Sequence, residues 1–171
     1  MGWSCPVCGK PLTLSEKQYR CDNRHSFDVA RKGYVNLLLS RKSGSQGHGD
    51  NREMVAARRR FLDAGYYAPL CRELAETAAR YAEEQAVLLD AGCGECYYTA
   101  AVCERLRRDG RLAEALGVDI SKEALAAGAA RDRTIRLAVA SVFHLPVADE
   151  SVDLLTMVFA PWCGEEFRRV L

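Results

Sequence analysis

The 171-residue chain has 49% hydrophobic residues and a formal net charge of +1, which is typical of a globular protein and not of a disordered one. It has no apolar run of transmembrane length and no signal peptide at its start, so we expect a soluble, cytoplasmic protein without a membrane partner. In that compartment its eight cysteines are expected to be thiols or metal ligands rather than disulfides.

Charge is distributed unevenly along the chain. Residues 1–60 contain 12 Lys and Arg against 5 Asp and Glu, whereas residues 61–171 contain 12 against 18. The first part therefore carries a net charge of +7 and the second a net charge of −6. A basic end of this kind is typical of a protein that binds a polyanion, and an unevenly charged solvated surface explains the pattern equally well.

The first 35 residues contain a cluster of metal-binding residue types with the spacing C-x2-C-x12-C-x3-H. Its members are Cys5, Cys8, Cys21 and His25. Three thiolates and one imidazole suit a tetrahedral zinc site, and four protein ligands leave no position for water. We therefore predict a structural zinc ion, whose binding would fold a segment that has little core of its own. The predicted zinc-binding domain spans residues 1–35.

Residues 36–49 include a stretch rich in Gly and Ser, which predicts a flexible linker. From Asp50 onward the pattern becomes regular. Asp50 and Glu53 resemble an N-terminal capping box, and the helix that they begin is predicted to end at Gly65. A second helix is predicted from about Ala68 to Glu84.

Four short apolar stretches then alternate with helical patterns. The predicted strands are Ala86–Asp90, Ala115–Asp119, Ile135–Ala140 and Val152–Val158, and the predicted helices between them are Thr99–Asp109 and Lys122–Ala130. Alternation of strands and helices is typical of a parallel, doubly wound α/β sheet. We therefore predict that residues 50–171 form a Rossmann-like domain.

The turn after the first of these strands has the features of a ligand site. Its sequence, Asp90-Ala91-Gly92-Cys93-Gly94, lets the backbone bend sharply and approach a ligand closely. Tyr97 stands where the dinucleotide motif requires its third glycine, and a P-loop would require Gly-Lys-Ser/Thr, so S-adenosylmethionine fits better. Asp119, which ends the second strand, is expected to accept the ribose hydroxyls; a solvated or helix-capping carboxylate is the alternative.

Two segments of the body of the chain resemble a known class of enzyme. Val87–Glu95 resembles motif I of class I S-adenosylmethionine-dependent methyltransferases, and Leu145–Asp153 resembles the segment before their fourth strand. Together with the Cys/His cluster, Lys32–Leu38 and Arg58–Gly65, the chain resembles the RlmA family of 23S ribosomal RNA guanine-N1 methyltransferases, which includes the TlrB branch. The resemblance implies a zinc-binding domain that recognises an rRNA hairpin, followed by the N-terminal part of a methyltransferase sheet.

The resemblance and the fold together give the expected site residues. Those expected to bind S-adenosylmethionine are Tyr67, Asp90, Gly92, Gly94, Glu95, Cys96, Asp119 and Ser141. Cys96 replaces a usual glycine, so a left-handed backbone there would be strained. Glu95 has an alternative role as an acid near the N-terminus of the next helix. The basic side chains expected to face RNA phosphates are Arg20, Arg24, Arg31, Lys32, Arg41, Lys42 and Arg58–Arg60.

The segment Phe159-Ala160-Pro161-Trp162, directly after the fourth strand, is predicted to form the pocket for the target base, with a hydrophobic lid as the alternative. No residue is predicted as the base that removes the N1 proton. The last strand is predicted to have an open edge, which makes a homodimer a candidate assembly. Two other functions stay open, namely an inactive zinc-ribbon RNA-binding protein and a methyltransferase that acts on a small molecule or a protein.

Overall fold

The computed structural model describes residues 2–39 and 49–171, which form two sheets. The first sheet lies in residues 2–33, called the head below. It is antiparallel, and its strands pair in chain order: β1 (Thr13–Ser15), β2 (Gln18–Arg20) and β3 (Ser26–Asp28). These short strands are largely exposed, so the sheet itself contributes little buried surface.

The remaining described residues, called the body below, form an α/β sheet. Its strands are β4 (Tyr34–Asn36), β5 (Ala86–Ala91), β6 (Leu112–Asp119), β7 (Arg136–Val139) and β8 (Leu154–Thr156). Its helices are α1 (Arg52–Asp63), α2 (Ala68–Tyr81), α3 (Tyr97–Arg108), α4 (Lys122–Arg131) and α5 (Gly164–Val170). All strands are parallel, in the order β4-β7-β6-β5-β8, which confirms the predicted Rossmann-like sheet.

Strand β5, which lies between β6 and β8, is buried on both of its faces. Val87 and Leu89 belong to one apolar core, whereas Leu88 belongs to a second core that includes Leu106 of α3. The alternation follows from the period of two in a strand, which points successive side chains to opposite faces. A continuous apolar sequence is what such a strand requires.

Head and body share the first of these cores. Trp3 and Leu12 of the head are buried in the same cluster as Leu116, Val142 and Leu145 of the body. A backbone hydrogen bond reinforces the contact, since Ser4 N donates to Pro146 O at 2.7 Å. The head is therefore packed on the body along one face of the parallel sheet.

Strand β4 comes from residues that the sequence analysis divides between the zinc-binding domain and the linker. It pairs in parallel with β7, and Leu37 N extends the pairing by donating to Val139 O at 3.0 Å. Val35 and Leu37 alternate with polar or half-buried neighbours and are buried, which is why the segment forms a strand. The division at residue 35 thus falls within a strand of the large sheet. Residues 40–48 of the predicted linker lie outside the described residues.

Element boundaries differ from the sequence prediction by a few residues. Asn51, and not Asp50, is the N-cap of α1, because its side chain accepts a hydrogen bond from Met54 N at 2.9 Å. Asp50 instead forms an ion pair with Arg58, and its carbonyl accepts a hydrogen bond from Ser121 Oγ at 2.6 Å. Asp50 thereby ties the start of α1 to the body.

Two further observations concern the edges and surface of the described part of the chain. Within residues 2–39 and 49–171, β8 pairs with β5 alone, as expected for a last strand with an open edge. None of the helices in these ranges is both long enough and apolar enough to span a bilayer.

Candidate metal centre and donor pocket

The four predicted zinc ligands come together in the head, with all their ligand atoms within 4.8 Å of one another. Cys8 Sγ lies 3.7 Å from Cys21 Sγ, and His25 Nδ1 lies 3.4 Å from Cys21 Sγ and 3.5 Å from Cys5 Sγ. Tetrahedral zinc bonded to sulfur at about 2.3 Å and to nitrogen at about 2.0 Å requires ligand separations of about 3.5–3.8 Å. The cluster therefore fits one structural zinc ion, with Nδ1 as the imidazole ligand.

Two tight turns present these ligands. In the first, Gly9 has φ +73° and its N–H donates to Cys5 O at 2.8 Å. In the second, Arg24 has φ +65° and its N–H donates to Cys21 O at 2.9 Å. Each turn therefore presents two of the four ligands to one side of the site.

A cavity of about 360 Å³ lies at the carboxyl ends of β5, β6 and β8. Ligands of doubly wound sheets bind at this edge, next to the point where the strand order reverses. Six of the eight residues expected to bind the methyl donor line the cavity, namely Asp90, Gly92, Gly94, Glu95, Asp119 and Ser141. Three of the four residues predicted for the target-base pocket line it as well, namely Phe159, Ala160 and Pro161.

Asp119 is held in place by two backbone N–H groups. Its Oδ1 accepts a hydrogen bond from Ser121 N at 2.8 Å, next to the N-cap of α4, and its Oδ2 accepts one from Gly94 N at 2.9 Å. Burial raises the pKa of its carboxyl group. A carboxylate has about four acceptor sites, so both oxygens can still accept hydroxyl hydrogens of a ligand in the cavity.

Asp90 is buried at the end of β5 and lines the same cavity. Its Oδ2 accepts a hydrogen bond from Thr99 Oγ1, whereas its Oδ1 has no hydrogen-bond partner among the described residues. Burial raises the pKa of this carboxyl group to about 6. A buried acceptor without a partner is costly unless a ligand or a water molecule pairs with it. The site therefore fits a ligand with a hydrogen-bond donor, such as the ammonium group of S-adenosylmethionine.

Glu95 is held by an arginine that the sequence analysis did not identify. Arg131 Nη2 lies 2.6 Å from Glu95 Oε1 and 3.0 Å from Asp63 Oδ1, so it connects the glycine turn to the end of α1. Burial raises the pKa of Glu95, and Arg131 opposes that shift. The second oxygen, Oε2, is buried without a hydrogen-bond partner in the described part of the chain. No local sequence signal marks Arg131, which occupies the last turn of an ordinary helix.

Gly92 is required by the packing of two loops. Its φ is +90°, and an added Cβ would lie 2.3 Å from the Cβ of Ala160. The turn after β5 and the loop after β8 therefore approach each other at this glycine. The sequence predicts that the glycine turn approaches a ligand closely. In the structure Gly92 makes its close contact with the loop after β8, and the cavity lies beside this contact.

Three of the predicted residues do not line the cavity. Cys96 has φ +59°, and its buried thiol faces Gly128, where a Cβ would lie 2.7 Å from Sγ. The left-handed backbone expected there is present. Tyr67 packs edge-on against Phe159, with ring centroids 5.7 Å apart, and Trp162 is 71% exposed.

The helix α1 contributes to the cavity in a way that sequence patterns did not indicate. Asp50, Arg58 and Leu62 line the cavity from this side. This contribution depends on how α1 packs across the edge of the sheet, and no local sequence motif predicts that packing. Of the residues expected to face RNA phosphates, Lys32 forms an exposed ion pair with Glu123 at 3.7 Å, and residues 41 and 42 lie outside the described ranges.

Comparison with known proteins agrees with both centres. Residues 3–45 match the family described as RlmA, N-terminal, a zinc ribbon, and residues 89–171 match a methyltransferase domain family. A candidate S-adenosylmethionine-dependent methyltransferase from Methanococcus maripaludis has a similar solved structure, with a TM-score of 0.60 at 17% identity over 75% of this chain and 63% of that one. That likeness shows the fold alone. The fold and the domains are those of a class I S-adenosylmethionine-dependent methyltransferase that carries a zinc ribbon.

Curated relatives share one activity. The chain is 41% identical to a 23S rRNA (guanine(748)-N(1))-methyltransferase of Streptomyces fradiae, over 98% of this chain and 58% of that protein. It is 40% identical to a candidate 23S rRNA guanine-N1 methyltransferase of Micromonospora griseorubida, over 98% of this chain and 61% of that protein. The chain is therefore similar to 23S rRNA guanine-N1 methyltransferases over nearly its whole length, and its first part matches the N-terminal zinc ribbon of RlmA. It spans about 60% of the length of the curated relatives that it matches.

Proposed function

We propose that the chain binds S-adenosylmethionine in the cavity at the carboxyl ends of β5, β6 and β8 and methylates N1 of a guanine in a 23S rRNA hairpin. One observation carries the proposal: the cavity brings together the glycine turn, Asp119 and the unpaired carboxylate oxygen of Asp90. The activity of the Streptomyces fradiae relative, a 23S rRNA (guanine(748)-N(1))-methyltransferase, supports the guanine-N1 chemistry. An rRNA substrate would also imply the cytoplasmic location expected from the sequence.

Positioning accounts for most of the proposed chemistry. S-adenosylmethionine supplies, when bound, a methyl group on a sulfonium: the S–CH3 bond would break as the N–CH3 bond forms, S-adenosylhomocysteine would leave, and the N1 proton would pass to water. Asp90 and Asp119 would orient the donor through its ammonium and ribose hydroxyl groups. Phe159 would stack on a guanine that has left its helix, beside Ala160 and Pro161, so that N1 faces the methyl group in line. Holding two reactants in this geometry can provide much of the rate acceleration.

The zinc centre would act through structure and not through the chemistry. Cys5, Cys8, Cys21 and His25 would close the coordination sphere, so no position is left for a substrate. The basic charge of the first 60 residues suits a nucleic-acid partner, and we propose the head as the part that meets the rRNA hairpin. A homodimer stays a prediction that rests on the open edge of β8.

Calorimetry and methyl transfer test the proposal together. The wild-type chain should bind S-adenosylmethionine, and Asp119→Ala should weaken that binding by at least tenfold, whereas Asp149→Ala, an exposed aspartate outside the cavity, should not. With labelled donor, methyl groups should pass to N1 of guanine in 23S rRNA fragments. Donor binding without transfer would favour an inactive RNA-binding protein, and transfer to free small acceptors or to protein would favour another substrate. Wild-type protein that binds no donor would contradict the proposal.

A further inference from the structure

A continuous row of aromatic rings runs along the surface from the mouth of the cavity, where Phe159 is itself 77% exposed. Phe159 lines the cavity, and the ring centroid of Tyr67 lies 5.7 Å from that of Phe159. Phe61 follows at 5.6 Å from Tyr67, and Tyr66 stacks on Phe61 at 4.8 Å with an interplanar angle of 22°. These four rings, Phe159, Tyr67, Phe61 and Tyr66, are called the aromatic row below.

The outer rings of the aromatic row are exposed to solvent. Tyr66 is 71% exposed and Phe61 is 45% exposed, even though they stack on each other. Because Phe61 covers one face of Tyr66, the exposed fraction leaves the other face of Tyr66 available. Neighbouring exposed aromatic side chains of this size indicate a surface that binds a partner.

The end of α1 fixes this arrangement. Gly65 has φ +85°, and its N–H donates to Leu62 O at 2.9 Å, so the chain turns sharply directly after the helix. Ala68 N donates to Gly65 O at 3.0 Å and closes the turn before α2 begins. Tyr66 and Tyr67 lie between these two hydrogen bonds. The turn therefore fixes the backbone of both tyrosines, and their rings lie on either side of Phe61 in the aromatic row.

Positive charge lies beside the aromatic row. Arg58, Arg59 and Arg60 are consecutive on α1, directly before Phe61. Arg58 is paired with Asp50 and Arg59 with Asp63, whereas Arg60 forms no ion pair within the described ranges. Aromatic faces next to guanidinium groups suit unpaired nucleobases and their phosphates.

We propose that the aromatic row stacks the unpaired nucleobases that flank the target guanine, so that the chain binds its RNA as a single-stranded loop and not as a duplex. The proposal rests on the proposed function, because it takes the target base to enter the cavity beside Phe159. Tyr66 is the ring of the aromatic row farthest along from Phe159. The proposal gives Tyr66 a role in binding RNA and none in binding the methyl donor.

A fluorescence titration tests the proposal on the full chain. The probes are a single-stranded RNA with 2-aminopurine next to its guanine, and the same RNA annealed to its complement. Tyr66→Ala should weaken binding of the single strand by about tenfold, since each base that stacks on an aromatic ring contributes an effect of that order. Tyr66→Phe keeps the ring and should bind like the wild type. Tyr81→Ala is the matched control, because Tyr81 is 75% exposed at the far end of α2.

Three results would overturn the proposal. In the first, Tyr66→Ala and wild type bind the single strand with equal affinity. In the second, the wild type binds the duplex as tightly as the single strand. In the third, the wild type self-associates and Tyr66→Ala abolishes that self-association. The last result would assign the surface to a second copy of the chain. Calorimetry of S-adenosylmethionine on the same variants separates this proposal from the proposed function. A wild-type protein that binds no donor contradicts the proposed function. A Tyr66→Ala variant that binds both the donor and the RNA as the wild type does contradicts only the proposed stacking.

Discussion

The head and the body are stabilised in different ways. Of the nine residues in β1, β2 and β3, Tyr19 is the one that is buried, whereas all six residues of β5 are buried. The head fits a fold that depends on the free energy of metal binding. The body depends on apolar burial on both faces of its sheet. The comparison shows that one short chain combines a part that needs an ion and a part that needs tight packing.

The two parts nevertheless depend on each other through their shared core. Trp3 of the head is 1% exposed and packs in the same cluster as Val142 and Leu145 of the body. Val142 follows Ser141, and both residues line the cavity. Loss of the metal should therefore disturb the cavity, and the predictions below test how far the two parts can be separated.

Removal of zinc should have the largest effect. Cys21→Ser removes a ligand, and structural zinc sites contribute on the order of 10 kcal/mol of folding free energy. We expect loss of bound zinc and unfolding of the head. In a Trp162→Phe background Trp3 is the remaining tryptophan, so its fluorescence should shift to the red as it becomes exposed.

A different cysteine provides the control for this effect. Cys163→Ser changes a half-buried thiol outside the cluster and should keep both the zinc and the emission of Trp3. A Cys21→Ser protein that retains one equivalent of zinc with unchanged emission would show that the head folds without its metal centre, and the contrast between head and body would be lost.

Gly92→Ala should have the next largest effect, in the body. The added Cβ would lie 2.3 Å from the Cβ of Ala160 at a φ of +90°. Left-handed strain of about 1–2 kcal/mol and overpacking of about 1–3 kcal/mol would together cost about 2–5 kcal/mol. We expect a lower melting temperature and loss of S-adenosylmethionine binding, measured by differential scanning fluorimetry and calorimetry.

Gly110→Ala separates backbone strain from the clash. Gly110 also has a left-handed φ, of +70°, but an added Cβ there meets nothing within 4 Å. It lies after α3, away from the cavity, so stability should fall by about 1–2 kcal/mol with donor binding unchanged. Equal loss of donor binding in both variants would contradict the structural role given to the contact between Gly92 and Ala160.

Sequence patterns indicated the parts of this fold that local chemistry determines. Zinc-ligand spacing indicated the metal cluster, and strand–helix alternation, the glycine turn and the resemblance to a methyltransferase family together indicated the cavity and six of its lining residues. Other features depend on contacts between distant segments. Strand β4 exists because Val35 and Leu37 pair with β7, which lies about a hundred residues later in the chain. The approach of α1 to the cavity likewise depends on tertiary packing, which no motif encodes.

Arg131→Met tests whether packing alone maintains the body. Glu95 is 3% exposed and Arg131 is 21% exposed, so the variant leaves a buried carboxylate without its cation. Breaking a buried pair in this way costs about 3–4 kcal/mol. The double variant with Glu95→Gln should recover part of this loss, measured by urea unfolding. Arg80→Met breaks an exposed pair with Glu73 and should change stability by less than about 1 kcal/mol. An effect of Arg131→Met as small as that of Arg80→Met would contradict the buried-pair interpretation.

The pH dependence of stability gives the smallest expected effect and tests the buried acid in the body. Burial raises the pKa of Asp90 from 3.8 to about 6. The folded state therefore keeps a proton that the unfolded state has already released between these pH values. The contribution of Asp90 to the free energy of unfolding should fall as the pH rises from about 4 to about 6, by at most about 3 kcal/mol, and then stay constant.

The Asp90→Asn variant isolates this contribution. It should be more stable than the wild type above pH 6, and the advantage should shrink as the pH falls toward 3.8, below which Asp90 is protonated in both states. Asp63, Asp132 and Glu166 have lowered pKa values and act in the opposite direction, but they are present in both proteins and cancel in the difference. Asp149→Asn, a control that removes an exposed carboxylate paired with Arg169, should differ from the wild type much less than Asp90→Asn does. A difference between Asp90→Asn and wild type that does not change with pH would contradict the raised pKa of Asp90. It would show that the Asp90 carboxylate is as well solvated in the folded body as in the unfolded chain, although it is buried at the sheet edge where the donor is proposed to bind.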